Sequence, residues 1–157
     1  MPGRIDDRLK EKGIELPNAS APAANYVPFV VVGNLVYVSG QVSQWNGERR
    51  FIGKLGDGLE LIDGQRAARM CALNLVAHVR NAAGGDLDRV VRVVRLTGYV
   101  NSVPDFVNQP QVVNGASDVM VEIFGDAGRH ARSAVGVASL PSGVAVEVEG
   151  IFELAPG

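Results

Sequence analysis

Apolar residues recur every three or four positions in only one long stretch of the chain. Ala68, Cys71, Ala72, Leu75, Val76 and Val79 fall on one stripe, which predicts a helix over 60–83, stopped by Gly84-Gly85. Phe29–Val38 has a different rhythm: two β-rich runs flank Gly33-Asn34, the pattern of a β-hairpin. Ser39-Gly40-Gln41 follows, where a strand bulges or a ligand approaches the backbone. Residues 4–13 predict one short polar helix ended by Gly13, and residues 17–28, with three prolines, an ordered arm. Gly47, Gly53, Gly56 and Gly58 make 45–58 a loop or short hairpin. Residues 89–100 support two patterns. Arg89, Arg92 and Arg95 recur as on a helix, but the intervening valines favour a pleated strand, and strand is the reading adopted. A second helix is expected over 105–124, kinked or broken near Pro110 and ended by Gly125 and Gly128.

The last segment, Arg132 to Glu149, alternates twice about Leu140-Pro141-Ser142-Gly143 and predicts a closing hairpin. The element order is then hairpin, helix, strand, helix, hairpin. This makes an α+β domain with one sheet and two long helices on one face. Val135, Val137, Val144, Val146, Val148, Phe152 and Leu154 are expected to face the helices. Ala134, Gly136, Ala145, Glu147, Glu149 and Ile151 would take the other face, with Arg132 at its edge. That second face is small and apolar enough to need cover, and no helix remains for it, so a homo-oligomer is expected. In such a hairpin Arg132 would lie opposite Ile151, with Glu147 about 13 Å along the strand.

Composition narrows the function classes. A formal net charge of -2 argues against a nucleic-acid partner, which wants a basic excess. No apolar run approaches the roughly 18 residues of a membrane helix, and the first residues carry no apolar leader. With a single cysteine, Cys71, no internal disulfide is possible, and a cytoplasmic protein is the simplest expectation. No His/Cys/Asp cluster has metal-ligand spacing, so neither metal nor cofactor is expected. Gly53–Gly58 lacks the phosphate-loop pattern. Cys71 sits on the apolar stripe and reads as a core residue. His78, His130 and the arginines at 89, 92 and 95 are weaker candidates. Two residues stand out. Arg132 could grip a carboxylate bidentately, or be a surface arginine, or form an ion pair with Glu147 or Glu149. Glu147 could be a general base, or a solvated or ion-paired glutamate.

Asn25-Tyr26, Val38-Ser39-Gly40-Gln41, Val113-Asn114-Gly115-Ala116, Ala131-Arg132-Ser133-Ala134-Val135, Leu140-Pro141 and Val146-Glu147-Val148-Glu149 follow one another at spacings that resemble the RidA/YjgF family of reactive enamine/imine deaminases. The likeness covers about residues 20–154. It implies a chorismate-mutase-like α+β domain over 20–157, after an N-terminal extension (1–19) with a short helix. It also implies a homotrimer with ligand clefts between subunits. By the same resemblance Arg132 grips the substrate carboxylate and Glu147 places the attacking water. Tyr26, Ser39, Gly40, Asn114 and Ala134 would line the cleft. Many members carry cysteine where this chain has Ala134, so thiol chemistry is excluded there. The 45–60 insertion and the Gly125–His130 loop also depart from the shorter members.

The implied activity is hydrolysis of 2-enamine or 2-imine acids, such as 2-aminoacrylate/2-iminopropanoate, to 2-keto acids and ammonia. Positioning plus one general base, worth about 10²–10⁴-fold, would suffice. The competing readings are a small-carboxylate binding module without catalysis, and a ribonuclease, for which no histidine acid–base pair stands at recognisable spacing.

Overall fold

A computed structural model describes residues 3–19 and 25–157; residues 20–24 of the expected arm lie outside them. In chain order the elements are α1 (Arg4–Glu11), β1 (Phe29–Val32), β2 (Leu35–Val42), β3 (Gln44–Trp45), β4 (Glu48–Arg49), β5 (Lys54–Leu55), β6 (Gly58–Leu59), α2 (Leu61–Ala82), β7 (Val90–Asn101), α3 (Gln109–Phe124), β8 (Ala131–Val137) and β9 (Val146–Leu154). The main sheet has the order β1-β2-β9-β7-β8, antiparallel except for the parallel β7–β8 pair. Both long helices pack on one face of it, as the hydrophobic pattern predicts.

α1 is polar except for Ile5 and Leu9, which lie one turn apart and are buried in the main core. Its first turn is capped from a distance: the Asp88 carboxylate accepts from the backbone N–H of Arg4 and Ile5 at 2.9 and 2.8 Å. Those two bonds hold the Asp88 pKa below its ordinary value. On α2 the whole expected stripe is fully buried, and a reciprocal Glu60–Asp63 capping box fixes the start of the helix. The 45–58 region forms the two small ladders β3–β4 and β5–β6, and the Ser39-Gly40 position is an irregularity in the β2–β9 register, as expected.

Three expectations need correction. First, α3 is not kinked at Pro110. It starts at Gln109 with the proline in its first turn, where the missing N–H costs nothing, and residues 105–108 stay outside the helix. Second, β8 and β9 do not form a hairpin. β7 lies between them, because residues 138–145 cross its end instead of turning back. Contacts with the 51–53 segment hold that crossing down: Ala145 N–H donates to Phe51 O at 2.9 Å and Gly53 N–H to Gly143 O at 2.8 Å. Ala145 is accordingly fully buried, not on the open face.

Third, the faces of β8 are reversed. Arg132 is in register with the buried Leu96 and Ala134 with Gly98. A Cβ on Gly98 or Gly136 would strike Val113 or Gln109 of α3. Arg132, Ala134 and Gly136 therefore face the helices. Val135, in register with Tyr99, stands on the open face and is 44% exposed.

Candidate functional site

Arg132 lies on the edge strand β8 and reaches onto α3. Its Nη1 donates to Asn114 Oδ1 at 2.8 Å and to Ser117 Oγ at 3.2 Å, and its Nη2 to Pro110 O at 3.3 Å. All three acceptors are uncharged, so the alternative of an ion pair with Glu147 or Glu149 does not hold. A guanidinium has five N–H donors, so two remain for a ligand. Pro110, Asn114 and Ser117 meet the same arginine because residues three and four apart share one helix face. Of these, the sequence reading included only Asn114. The i, i+3 spacing from Asn114 was the signal available for Ser117.

Glu147 stands on the opposite, open face of the sheet, in register with Tyr99 on one side and Val42 on the other. Its carboxylate lies across Gly40. A Cβ there would sit 2.0 Å from Glu147 Oε2, so only glycine admits the acid in this position. Burial, and next the charge of Glu149, raise the Glu147 pKa above the ordinary glutamate value. Tyr99, which the sequence reading passed over, donates its hydroxyl to Glu149 Oε1. That bond is the main reason the Tyr99 pKa is pushed up to about 12.

The remaining expected residues divide between the two faces. Ser39 donates its hydroxyl to Pro28 O at 3.1 Å, which ties the bulge to the strand entrance. Ala134 packs partly into the core beneath α3. Tyr26 stands 54% exposed ahead of β1. Beside Ser39 the open face holds a groove of about 390 Å³, with Phe29, Tyr37, Arg95, Thr97 and Glu149 among its walls. Arg132 with Asn114 and Glu147 with Gly40 thus form two separate clusters on opposite sides of one sheet, and a small ligand cannot touch both within one chain.

The weaker candidates have structural roles. Cys71 is buried, donates to Val146 O, and has its pKa raised well above the thiol value, chiefly by burial. His78 is a buried residue of α2, its ring centroid 6.5 Å from that of Phe29 and tilted 55° to it. Arg89 ties down Ala83 and Ala155, Arg92 bonds Arg129 O, and Arg95 bonds Ser133 Oγ. The three do not form one phosphate-reading stripe. No helix among the described residues is long and apolar enough to cross a membrane.

The fold and the two clusters define a small α+β protein with an arginine at a sheet edge that keeps two N–H donors unspent. The family model described as "YjgF/chorismate_mutase-like, putative endoribonuclease" matches residues 6–149, and the chain belongs to this YjgF/RidA family. Its single domain has the chorismate-mutase-like fold. Among similar proteins, Protein TCP17 of Trypanosoma cruzi is 51% identical over 97% of this chain and 95% of its own length. A 2-iminobutanoate/2-iminopropanoate deaminase of Dermatophagoides farinae is 34% identical over 88% of this chain and 92% of its own. The solved structure of Atu1372 from Agrobacterium tumefaciens superposes with a TM-score of 0.89 at 48% identity, covering 96% of this chain and 92% of that one.

Proposed function

We propose that the protein hydrolyses 2-imine acids, and the 2-enamine acids in equilibrium with them, to 2-keto acids and ammonia. 2-Aminoacrylate/2-iminopropanoate is the type of substrate. The observation that carries this reading is Arg132, fixed by three neutral acceptors with two N–H groups unspent. Such a fork is suited to a carboxylate. Because Glu147 faces the other way, the working cleft is assembled between copies of the chain. One subunit supplies Arg132, Asn114 and Ala134, and its neighbour supplies Glu147, Ser39, Gly40 and Tyr26.

In that cleft Arg132 holds the carboxylate and thereby places C2. Glu147 accepts a proton from water as the water adds to C2 and passes it to the imine nitrogen. It then carries the adduct's hydroxyl proton to the same nitrogen as the C–N bond breaks, so ammonia leaves and the keto acid remains. Atoms and charge balance without a redox change, and the reaction in this reading requires no cofactor. The likeness to an iminobutanoate/iminopropanoate deaminase supports this assignment. A cytoplasmic location, where imine acids are released by lyases, belongs to the same reading.

The primary test is to generate the imine in situ with an amino-acid oxidase and follow keto-acid release. The wild-type protein should accelerate release over buffer, and no acceleration would refute the proposal. Glu147→Gln should reduce kcat by about 10²-fold, as expected on losing one general base. The pH profile adds a sign. Glu147 works only when ionised, so kcat/KM should fall as pH drops through its raised pKa, and Glu147→Gln should lose that limb.

The same shift makes a stability prediction. A raised carboxylate pKa means that the folded state binds the proton more tightly than the unfolded chain does. That contribution is present at low pH and fades as pH rises through the folded value. Glu147→Gln should therefore melt higher than wild type near pH 8, with the gap narrowing towards pH 5. Equal melting curves at both pH values would contradict this.

The assembly is a homotrimer in this reading. The open sheet face presents Val30, Tyr37 and Val135 at 49, 41 and 44% exposure, an apolar surface that a second copy would cover. Wild type should be oligomeric by light scattering at micromolar concentration. Val135→Lys should shift it towards monomer and abolish turnover with it. An oligomer unchanged by Val135→Lys would place the interface elsewhere.

A second reading, a carboxylate-binding module, is favoured by one observation: the Arg132 half-site is complete on its own face, without Glu147. Calorimetric binding of 2-oxobutanoate, lost in Arg132→Ala, together with a null imine assay, would select it. Ribonuclease chemistry finds no support in the histidines, since His78 is buried in α2 while His130 lies beside β8.

A further inference from the structure

His130 stands two residues before Arg132, and its ring is held at both nitrogens. Nδ1 lies 2.6 Å from Gly128 O and Nε2 lies 2.9 Å from Ser117 Oγ. A carbonyl only accepts, so Nδ1 carries the proton. Burial, against the opposing bond to Gly128 and with the nearby Arg132 charge, keeps the His130 pKa below the ordinary histidine value, so the ring is neutral at pH 7. Neutral Nε2 then has only a lone pair to offer. The Ser117 hydroxyl must donate to it, which leaves the lone pairs of Ser117 Oγ for Arg132 Nη1 at 3.2 Å. The order of donors runs one way: Arg132 to Ser117, Ser117 to His130, and His130 to the backbone at Gly128.

We propose that Ser117 and His130 are positioning residues that orient the Ser117 lone pairs towards Arg132 and hold its guanidinium in the pose that presents its unspent N–H groups to a ligand carboxylate. This rests on Arg132 being the carboxylate anchor. A serine–histidine contact also invites a nucleophile reading. Here the arginine donates into the same oxygen and draws on the lone pairs that a nucleophile would need, so the hydroxyl acts as a link. Asn114 Oδ1 supplies the second, histidine-independent support at 2.8 Å. The pair therefore tunes the anchor and is not its sole support.

The test compares Ser117→Ala, His130→Asn and His130→Gln with wild type. Glutamine places an acceptor near the position of Nε2, whereas asparagine matches Nδ1 and leaves Ser117 without its partner. Two readouts apply: ¹⁵N relaxation of the Arg132 Nε–H, and the separate KM and kcat for imine hydrolysis. Ser117→Ala and His130→Asn should mobilise the arginine side chain and raise KM about tenfold, with kcat changed by less than about twofold, as for loss of a ground-state contact. His130→Gln should restore both values to within about twofold of wild type. If His130→Asn and His130→Gln behave alike, or Ser117→Ala leaves Arg132 as rigid as in wild type, the brace is overturned. The relaxation readout needs no turnover. If it behaves as expected while wild type neither hydrolyses the imine nor binds 2-oxobutanoate, the brace stands and the anchor reading fails.

Discussion

Arg132→Ala should lower kcat/KM for 2-imine acid hydrolysis by about 10²–10⁴-fold, the largest effect on activity expected of any substitution that leaves the assembly intact. Hydrogen bonds to a charged partner contribute about 1.5–3 kcal/mol each, and a carboxylate on the guanidinium would engage two N–H groups. Each factor of ten corresponds to about 1.4 kcal/mol. Arg132→Lys should recover less than a tenth of the loss. A single ammonium cannot reach Asn114, Ser117 and Pro110 together and still offer a planar fork to a ligand. The fold should survive both changes, because Arg132 is only partly buried on an edge strand. The check is steady-state kinetics on the in-situ imine, with a thermal melt as control. Wild-type kinetics from a folded Arg132→Ala protein would remove the anchor from the mechanism.

The largest effect on stability is expected at Gly115. α2 and α3 approach so closely there that a Cβ would lie 2.0 Å from Gln65 O and 2.8 Å from Gln65 C, both backbone atoms. Backbone cannot step aside as a flexible side chain can, so Gly115→Ala must push the helices apart. Overpacking of this kind costs typically 1–3 kcal/mol and occasionally more. Gly115→Ala belongs at the upper end, about 3 kcal/mol, because many small-residue contacts along the helix pair loosen together. For a chain of this size that corresponds to a fall in Tm of about 6–12 °C. Gly115 also lies between Asn114 and Ser117, so the displaced helix carries both arginine acceptors with it. The surviving folded fraction should show a raised KM as well. A melt within about 2 °C of wild type would show that the helices can yield there at little cost.

The elements were legible in the sequence where contrast between apolar and polar positions is strong. The α2 stripe and the Val146–Leu154 alternation carry valine, leucine or phenylalanine side chains on one side, and the Phe29–Val38 hairpin was marked instead by the Gly-Asn turn between two β-rich runs. Each is a strong local preference. Pro110 misled because a proline inside a helical pattern and one in its first turn look the same without knowing where the helix starts. β8 misled because its contrast is weak: Ala134 and Gly136 alternate with Val135 and Val137, and the larger side chains turned out to face outward. Small residues were selected on the inner face by the closeness of α3.

The site was legible in part. Arg132, Glu147, Gly40 and Asn114 were named from spacing and resemblance, and the structure places Arg132 on Asn114 and Glu147 over Gly40. Ser117, Tyr99 and the Pro110 carbonyl were not named. Their roles depend on which face of α3 and β7 meets which neighbour, a relation that no local pattern encodes.

By itself the sequence determined the element order, the two-helix cover of one sheet face, and an arginine and a glutamate near the chain's end. Those properties follow from side-chain periodicity and backbone preference, which act over a few residues. Only the tertiary structure decided that β8 crosses over to lie parallel to β7, putting Arg132 and Glu147 on opposite sides of the sheet. That outcome depends on where residues 138–145 dock against the 51–53 segment, and such a long-range contact leaves no periodic trace in either partner.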